Sequence, residues 1–269
     1  MTEPASTSNR PPTLQAGQAL LSNSQALLLN IQALSKRFGG LQAVKDLSFT
    51  VAEGEIVALI GPNGAGKTTA FALLSGFLTP DAGRVIFRGR DLRGLKPHQV
   101  NALGMARTFQ IMRPFPRLSV VRNVMIATLG RHPNPAEAER RARAILAELG
   151  LDAKADLPAS GLTLAERKRL ELARALGTEP ALLLLDEVMS GLNDAETERI
   201  VELVRAINRR GVAILLIEHV MRAVMSLAQR IVVLNYGERI AEGRPEAVAH
   251  DPRVIEAYLG DEEVATAPA

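Results

Sequence analysis

A continuously apolar segment, Ile56–Ile60, runs directly into the glycine-rich segment 61–68, which reads GPNGAGKT. The apolar run is typical of a strand buried on both faces of a parallel sheet. The glycine-rich segment fits G-x-x-x-x-G-K-[ST], a phosphate-binding loop (P-loop) in which backbone N–H groups cradle a phosphate. The stretch 68–78 that follows predicts a helix, which completes the strand–loop–helix context that this motif requires. We therefore expect a nucleotide to be bound by Gly61, Pro62, Asn63, Gly64, Ala65, Gly66, Lys67, Thr68 and Thr69.

The composition of the 269 residues excludes several other classes of protein. A hydrophobic fraction of 47% is too high for a disordered chain. No apolar run approaches the ~20 residues that a membrane-spanning helix needs. Cys 0 removes disulfides, thiolate metal sites and cysteine nucleophiles. A net charge of +3 and 3% aromatic residues argue against a nucleic-acid partner, which needs basic patches and stacking platforms.

The chain divides by pattern into four parts. Residues 1–25 are rich in Ser, Thr, Pro, Gln and Asn, so we expect a disordered tail that is neither a secretory signal nor a transit peptide. Within 26–97, short apolar runs between polar turns predict strands at 27–31, 47–51, 56–60 and 84–87. Residues 98–177 are mostly helical, with one helix that starts at Asn134-Pro135. Strands at 181–185, 213–217 and 231–234 alternate with helices at 197–210 and 221–227 over 178–262. That alternation implies a parallel sheet. Residues 263–269 are predicted to be a loose tail, and the protein to stay in the cytosol.

A second motif ends the apolar run 182–185 with two carboxylates, Asp186 and Glu187. The pair fits a Walker B element, in which Asp186 holds Mg²⁺ and Glu187 orients or deprotonates the attacking water. A strand that ends in Asp-Glu is weak evidence alone. Together with Lys67 and the Thr68 hydroxyl, a proposed Mg²⁺ ligand, it predicts phosphoryl-transfer chemistry, because that reaction needs both parts.

These residues resemble the nucleotide-binding subunits of ABC transporters over about 28–260. The resemblance implies an ATP hydrolase with a P-loop α/β fold: a mostly parallel core sheet, an antiparallel β-subdomain and an inserted helical subdomain. It implies that Phe38 stacks on adenine and that Gln110, the Q-loop glutamine, contacts Mg²⁺ and the attacking water. His219 corresponds to the switch histidine that contacts the γ-phosphate, and segment 190–193 fills the D-loop position, with Asn193 where Asp is common.

The signature segment departs from the family's LSGGQ and reads LTLAE over 162–166, counted back from the ARAL of 173–176. The family uses this segment to bind the γ-phosphate of the ATP that the other subunit holds. Side chains in place of two glycines limit how closely the backbone approaches a phosphate. The glutamate places a negative charge there unless it points away or pairs with Arg167 or Arg169. We expect this branch to tolerate the variant, with contacts from Thr163, Leu164, Ala165 and Glu166.

Finer motifs resemble the ATPases of branched-chain amino acid importers: ARTFQ over 106–110, LIEH over 216–219, and VIEAYLG over 254–260. That resemblance implies a homodimer, or a heterodimer with a paralogous ATPase, at the cytoplasmic face of the inner membrane. Transmembrane permease subunits would dock on 107–131, and a solute-binding protein would act indirectly. The alternatives are importers of urea, amides or aromatic acids, a lipopolysaccharide-export-type ATPase, a soluble non-transport ABC ATPase, a P-loop kinase or GTPase, and a degenerate subunit that does not hydrolyse ATP.

Overall fold

The computed structural model describes residues 26–109 and 114–265, with side chains to 258. This part of the chain contains two sheets, nine α-helices and two short 3₁₀ helices, Asp152–Lys154 and Ala159–Gly161. The strands are β1 Leu27–Phe38, β2 Leu41–Ala52, β3 Ile56–Ile60, β4 Ala82–Phe87, β5 Arg90–Asp91, β6 Met105–Arg107, β7 Leu182–Asp186, β8 Ala213–Ile217, β9 Arg230–Asn235 and β10 Glu238–Gly243. The helices are α1 Lys67–Leu74, α2 Pro97–Ala102, α3 Val120–Thr128, α4 Pro135–Glu148, α5 Leu164–Leu176, α6 Asp194–Arg209, α7 Met221–Leu227, α8 Pro245–Ala249 and α9 Pro252–Ala265.

The larger sheet has the order β10-β9-β3-β8-β7-β6 and is parallel except for β10. The smaller sheet is antiparallel, with the order β2-β1-β4-β5. Helices α3, α4 and α5 pack against one another within the helical part of the chain. The predicted fold class is confirmed. The predicted domain boundaries stay a prediction; α9 reaches Ala265, three residues into the segment expected to be loose.

The parallel strands are apolar on both faces, and alternate residues enter two different cores. On β3, Ile56, Ala58 and Ile60 join a core that includes residues of α3, α4, α5 and α6. Val57 and Leu59 join a second core with the antiparallel sheet and α1. The continuous apolar runs of the sequence therefore reflect burial on two sides, as expected for parallel strands.

Local chemistry explains the element ends that differ from the predicted ones. Helix α1 ends at Leu74 rather than 78, because Gly76 (φ 75°) closes it and the Phe77 amide bonds back to the Ala72 carbonyl. Helix α6 begins at Asp194 rather than 197, because Asn193 caps it. Strands β5, β6 and β10 were not predicted; the first two have only 2 and 3 residues, too few for a pattern.

A buried ion pair joins the two sheets near the start of β3. Arg230 on β9 bonds Glu55 at 2.9 Å and also donates to the Thr50 carbonyl of β2 at 2.7 Å. Glu242 on β10 is a further partner of the same guanidinium. Removing one partner of such a network leaves a buried charge uncompensated, so it fixes how the two sheets meet. None of the helices within the described residues has the length and apolar character needed to cross a bilayer.

Candidate functional site

The predicted P-loop, Walker B and switch-histidine residues lie along one edge of the larger sheet. Strand β3 leads into the P-loop, β7 ends at Asp186, β8 ends just before Glu218, and β6 ends just before the Q-loop segment. These strands are parallel neighbours, so their carboxyl ends meet at the same edge. Phe38, at the end of β1, is 45% exposed, with the Lys36 ammonium 5.7 Å from its ring centroid. Gln110 lies outside the described residues.

The P-loop is held in shape by backbone from other strands. A Cβ on Gly61 would lie 2.0 Å from the Leu234 carbonyl oxygen, and one on Gly66 would lie 2.2 Å from that of Ala43. Both glycines have φ values, 149° and 99°, that other residues rarely adopt. The glycines are therefore required both by backbone conformation and by the close approach of β9 and β2.

Lys67 and Thr68 open helix α1, where backbone amides and the helix dipole favour an anion. The Lys67 ammonium is buried and donates to the carbonyls of Gly61 (2.6 Å) and Pro62 (2.7 Å). Thr68 is exposed in the first turn. The start of α1 thus combines a buried ammonium with an exposed threonine, as the phosphate-binding motif predicts.

Asp186 is buried, and its two carboxylate oxygens differ. Oδ2 accepts from Arg107 at 2.8 Å, whereas Oδ1 has no hydrogen-bond partner among the described residues. The Asp186 amide donates to Thr108 Oγ1 at 3.0 Å, which fixes the residue against β6. A buried acceptor without a donor is unfavourable unless a cation reaches it. The donor set of Asp186 and Thr68 is oxygen, the ligand type that Mg²⁺ prefers, so the residues fit this metal.

Glu187 adopts a left-handed backbone conformation, with φ 51°. Its amide donates to the Ile217 carbonyl (3.0 Å), and its carbonyl accepts from the Lys168 ammonium (2.7 Å). Its side chain lies 2.8 Å from Nε2 of His219, which is 45% exposed. Such strain persists only where surrounding bonds hold it, and it is common at functional sites. The structure thus brings the predicted general base and the predicted switch histidine into direct contact.

Two further charged groups lie behind Glu187, and the sequence assigned neither a role. Glu218 is buried and accepts from the Met189 amide at 2.9 Å. Burial raises the pKa of Glu218 to about 7, against the opposing effects of that amide and of Lys168. Burial disfavours the charged form of Lys168 too and so lowers its pKa, while the nearby carboxylates Glu218, Glu187 and Asp186 raise it. Helix α5 is thereby tied to the end of β7.

The signature segment forms the start of α5, and none of its residues has a positive φ. Thr163 is the N-cap and accepts from the Glu166 amide at 3.3 Å, while the Glu166 carboxylate accepts from the Thr163 amide at 3.0 Å. Glu166 also pairs with Lys154 at 2.7 Å, which lowers its pKa. Arg167 and Arg169, which the sequence offered as possible partners, donate to backbone carbonyls instead. The glutamate is thus satisfied within its own helix start and by a neighbouring cation.

Leu164 and Ala165 are the first two helical residues after that cap. Leu164 is 38% exposed and reaches the D-loop, where a Cβ on Gly191 would lie 3.3 Å from its Cδ2. Asn193 closes the D-loop by capping α6: it accepts from the Glu196 amide at 2.9 Å, and its own amide donates to the Glu196 carboxylate. Capping is a role in which Asn and Asp are equivalent, which accounts for Asn at this position.

Arg107, Lys168 and Glu218 are the site residues to which sequence reasoning gave no role. Two of them stand inside the motifs ARTFQ and LIEH, directly at the ends of buried strands. A charged residue at such a place is the signal that could have found them, because buried charges are paired. Their partners come from distant parts of the chain and could not be read from the motifs.

Comparison with known proteins gives consistent matches. The model of a family described as "ABC transporter" matches residues 44–190, and that of the "Branched-chain amino acid ATP-binding cassette transporter" family matches residues 238–264. The high-affinity branched-chain amino acid transport ATP-binding protein LivG of Salmonella typhimurium is 43% identical over 244 residues, covering 85% of this chain and 96% of that protein. The lipopolysaccharide export system ATP-binding protein LptB of Acidithiobacillus ferridurans is 35% identical, covering 86% and 95%.

Among solved structures, the ADP conformation of an ATP-binding cassette of an ABC transporter superposes with a TM-score of 0.80. That chain is 30% identical, and the match covers 87% of this chain and 99% of that one.

Proposed function

The chain belongs to the ATP-binding, ATP-hydrolysing subunits of ABC transporters, and we propose that it powers the import of branched-chain or other amino acids. The observation that best supports ATP hydrolysis is the direct contact of Glu187, the residue after Asp186, with His219. The observation that carries the solute class is the match of residues 238–264 to the branched-chain family, added to 43% identity with a protein named for that transport.

In the proposed reaction, Phe38 stacks on adenine and the amides of the P-loop bind the β-phosphate. Lys67 is already directed into the loop and needs only to exchange the Gly61 and Pro62 carbonyls for phosphate oxygens. Thr68 and Asp186, with Gln110, would hold Mg²⁺, which when bound neutralises charge on the phosphates. Glu187 then orients the attacking water and accepts its proton.

His219 and Lys168 would keep Glu187 in place during that step. The imidazole holds the carboxylate from the side and the ammonium holds the backbone carbonyl, so the strained conformation cannot relax. His219 is exposed enough to contact the γ-phosphate as well. Two chains, or this chain and a paralogue, would sandwich two ATP molecules, each completed by Thr163, Leu164, Ala165 and Glu166 of the other subunit.

The permease would dock on the helical part of the chain, within 107–131. A polar cleft of about 500 Å³ opens there, and its charged lining residues are Arg117, Arg122, Glu139, Arg143 and Asp156. Its charged walls suit a short segment of a membrane partner. Such a complex would place the chain peripherally at the cytoplasmic face of the membrane, with a solute-binding protein acting only through the permease.

The test is uptake by the whole transporter. The chain would be reconstituted in liposomes with the permeases, the solute-binding protein and any second ATPase encoded beside it, and uptake of labelled leucine compared with urea, benzoate and a short amide. We expect leucine uptake to depend on ATP, and Glu187→Gln to bind ATP normally while losing about 100-fold or more of hydrolysis and uptake.

Glu198→Gln, an exposed carboxylate on α6, is the matched control and should behave as the unmodified chain. Hydrolysis by Glu187→Gln at the unmodified rate would refute the assignment of the general base. Uptake of urea or benzoate without leucine would move the chain to another importer class. ATP-dependent extraction of lipopolysaccharide, which the 35% identity to an export ATPase makes worth measuring, would reverse the direction of transport.

A further inference from the structure

We propose that Arg107 is a built-in counter-cation of Asp186, which holds one carboxylate oxygen, presents the other to the metal, and weakens the binding of Mg²⁺. The inference rests on the proposed role of Asp186 as a metal ligand. It gives a positioning role to Arg107, a residue of the ARTFQ motif to which the sequence analysis assigned none, and it predicts how the Mg²⁺ requirement changes when Arg107 is replaced.

The ion pair itself is the first support. Arg107 is the last residue of β6, and its Nη2 lies 2.8 Å from Asp186 Oδ2 at the end of the adjacent strand β7. The two side chains are only 9% and 1% exposed, so water screens their interaction little. A second donor, Nη1, lies 3.3 Å from Ser75 Oγ at the end of α1.

Three aromatic rings fix the guanidinium. Its Cζ lies 5.7 Å from the ring centroid of Phe71, 6.0 Å from Phe77 and 5.4 Å from Phe109. Phe77 and Phe109 also contact each other edge to face, with centroids 5.5 Å apart. In a chain with Phe 7 and Trp 0, three phenylalanines around one arginine are a large share of the aromatic residues. We call these three rings the phenylalanine box. A guanidinium is flat and weakly hydrated, so it packs between such rings better than an ammonium does.

The box links the three segments that build the nucleotide site. Phe71 is on α1, the helix that begins with Lys67 and Thr68. Phe109 directly precedes Gln110, and Asp186 closes β7. A change in the position of Arg107 would therefore move the Walker B carboxylate relative to the P-loop helix and the Q-loop.

The consequence for the metal follows from charge and geometry. Because Oδ2 is held by Arg107, Oδ1 is the oxygen left for a metal, and Oδ1 is buried with no hydrogen-bond partner among the described residues. The guanidinium already neutralises the carboxylate, so a divalent cation gains less from Asp186 than it would from a free carboxylate and is repelled by Arg107. Asp186 alone should therefore bind Mg²⁺ poorly, and the metal should need the phosphates of the nucleotide as further ligands.

The experiment measures ADP binding to the full chain by calorimetry over a range of Mg²⁺ concentrations and in EDTA. In Arg107→Met we expect the Mg²⁺ concentration for half-maximal enhancement of ADP affinity to fall about 10-fold, because the competing cation is gone. ADP affinity in EDTA should change less than about 2-fold, since the contacts of Arg107 on α1 are with Phe71 and Ser75, which lie beyond the P-loop. Arg107→Lys keeps the charge and should stay within about 3-fold of the unmodified chain, although its melting temperature should fall because the box is lost.

Arg107→Gln is also neutral and can still donate to Asp186, so it carries the same expectation if Arg107→Met does not fold. An unchanged or higher Mg²⁺ requirement in a folded neutral variant would overturn the proposal. Asp186→Asn separates this result from a failure of the proposed function. If that variant keeps the normal Mg²⁺ dependence, Asp186 is not the metal ligand, whereas if it loses that dependence and the Arg107 variants change nothing, only the role of Arg107 is refuted.

Discussion

The P-loop and the signature turn (residues 162–166) are both expected to bind ATP, the first its own and the second that of the other subunit, yet they depend on glycine in opposite ways. In the P-loop, a side chain at Gly61 or Gly66 would overlap a backbone oxygen of another strand. In the signature turn, Leu164 and Ala165 continue an ordinary helix from a Thr163 cap, and no left-handed residue is needed. The first region is shaped by its neighbours, the second by its own hydrogen bonds.

This difference explains why one motif matches its pattern and the other diverges. Where a glycine packs directly against the backbone of another strand, no larger residue can replace it without moving the sheet. A glycine that only allows close approach of a phosphate can be replaced wherever the helix start still presents its amides. The capping box and the pairing of Glu166 with Lys154 keep that helix start intact despite the unusual sequence.

The largest expected effect is that of Gly66→Ala. Its Cβ would lie 2.2 Å from the Ala43 carbonyl oxygen at a φ of 99°, so we expect the free energy of unfolding to fall by roughly 3–5 kcal/mol, with loss of ATP binding. Gly64→Ala is the matched control: it has a φ of 78° but open space, and should cost only about 1–2 kcal/mol. Equal losses for the two variants in urea unfolding would contradict the claim that neighbouring strands impose the glycine.

A smaller effect is expected at Glu218, which faces Lys168 on the helix that begins with the signature turn. Its folded-state pKa is raised to about 7, so the folded chain binds this proton more tightly than the unfolded chain. Stability from this group is therefore full below the unfolded pKa and is lost as the pH rises through about 7, by about 3 kcal/mol in total. The groups facing it are Lys168 on α5 and Glu187 at the end of β7.

Glu218→Gln should remove this dependence, so the stability of the unmodified chain relative to the variant should fall between pH 5 and pH 8. Urea unfolding at both values measures the difference, with the exposed Glu202→Gln as the control. A difference between the two chains that does not change with pH would show that Glu218 ionises as freely as in solution.

The smallest effects are expected at the signature turn. Thr163→Ala removes the N-cap and should lower the free energy of unfolding by about 1 kcal/mol. Ala165→Gly restores a glycine of the family pattern and should cost about 0.5–1 kcal/mol through helix propensity alone, with ATP hydrolysis by the assembled transporter undiminished. A loss above about 3 kcal/mol for Ala165→Gly would mean that its methyl group fills a space on which the fold depends.

Much of the fold was predictable because its strands are local patterns with burial on both faces. Ile56–Ile60 and Ala213–Ile217 have the predicted bounds. The helix start at Asn134 and Pro135 also matches, since a cap and a first-turn proline are local chemistry. Strand β1 extends from the predicted 27–31 to Phe38, because pairing with β2 and β4 continues past the bulged Ala33. No local pattern contains such pairing.

The sequence by itself determined the order of the site: a P-loop, then two carboxylates after an apolar strand, then a histidine after another. This order can be read from the sequence because each motif directly follows an apolar segment that predicts a strand. The tertiary structure alone decided the partners, which are Arg107 for Asp186, His219 for Glu187 and Lys154 for Glu166. Two of these pairs join residues 79 and 32 positions apart, and only the folded sheet brings such side chains within hydrogen-bond distance.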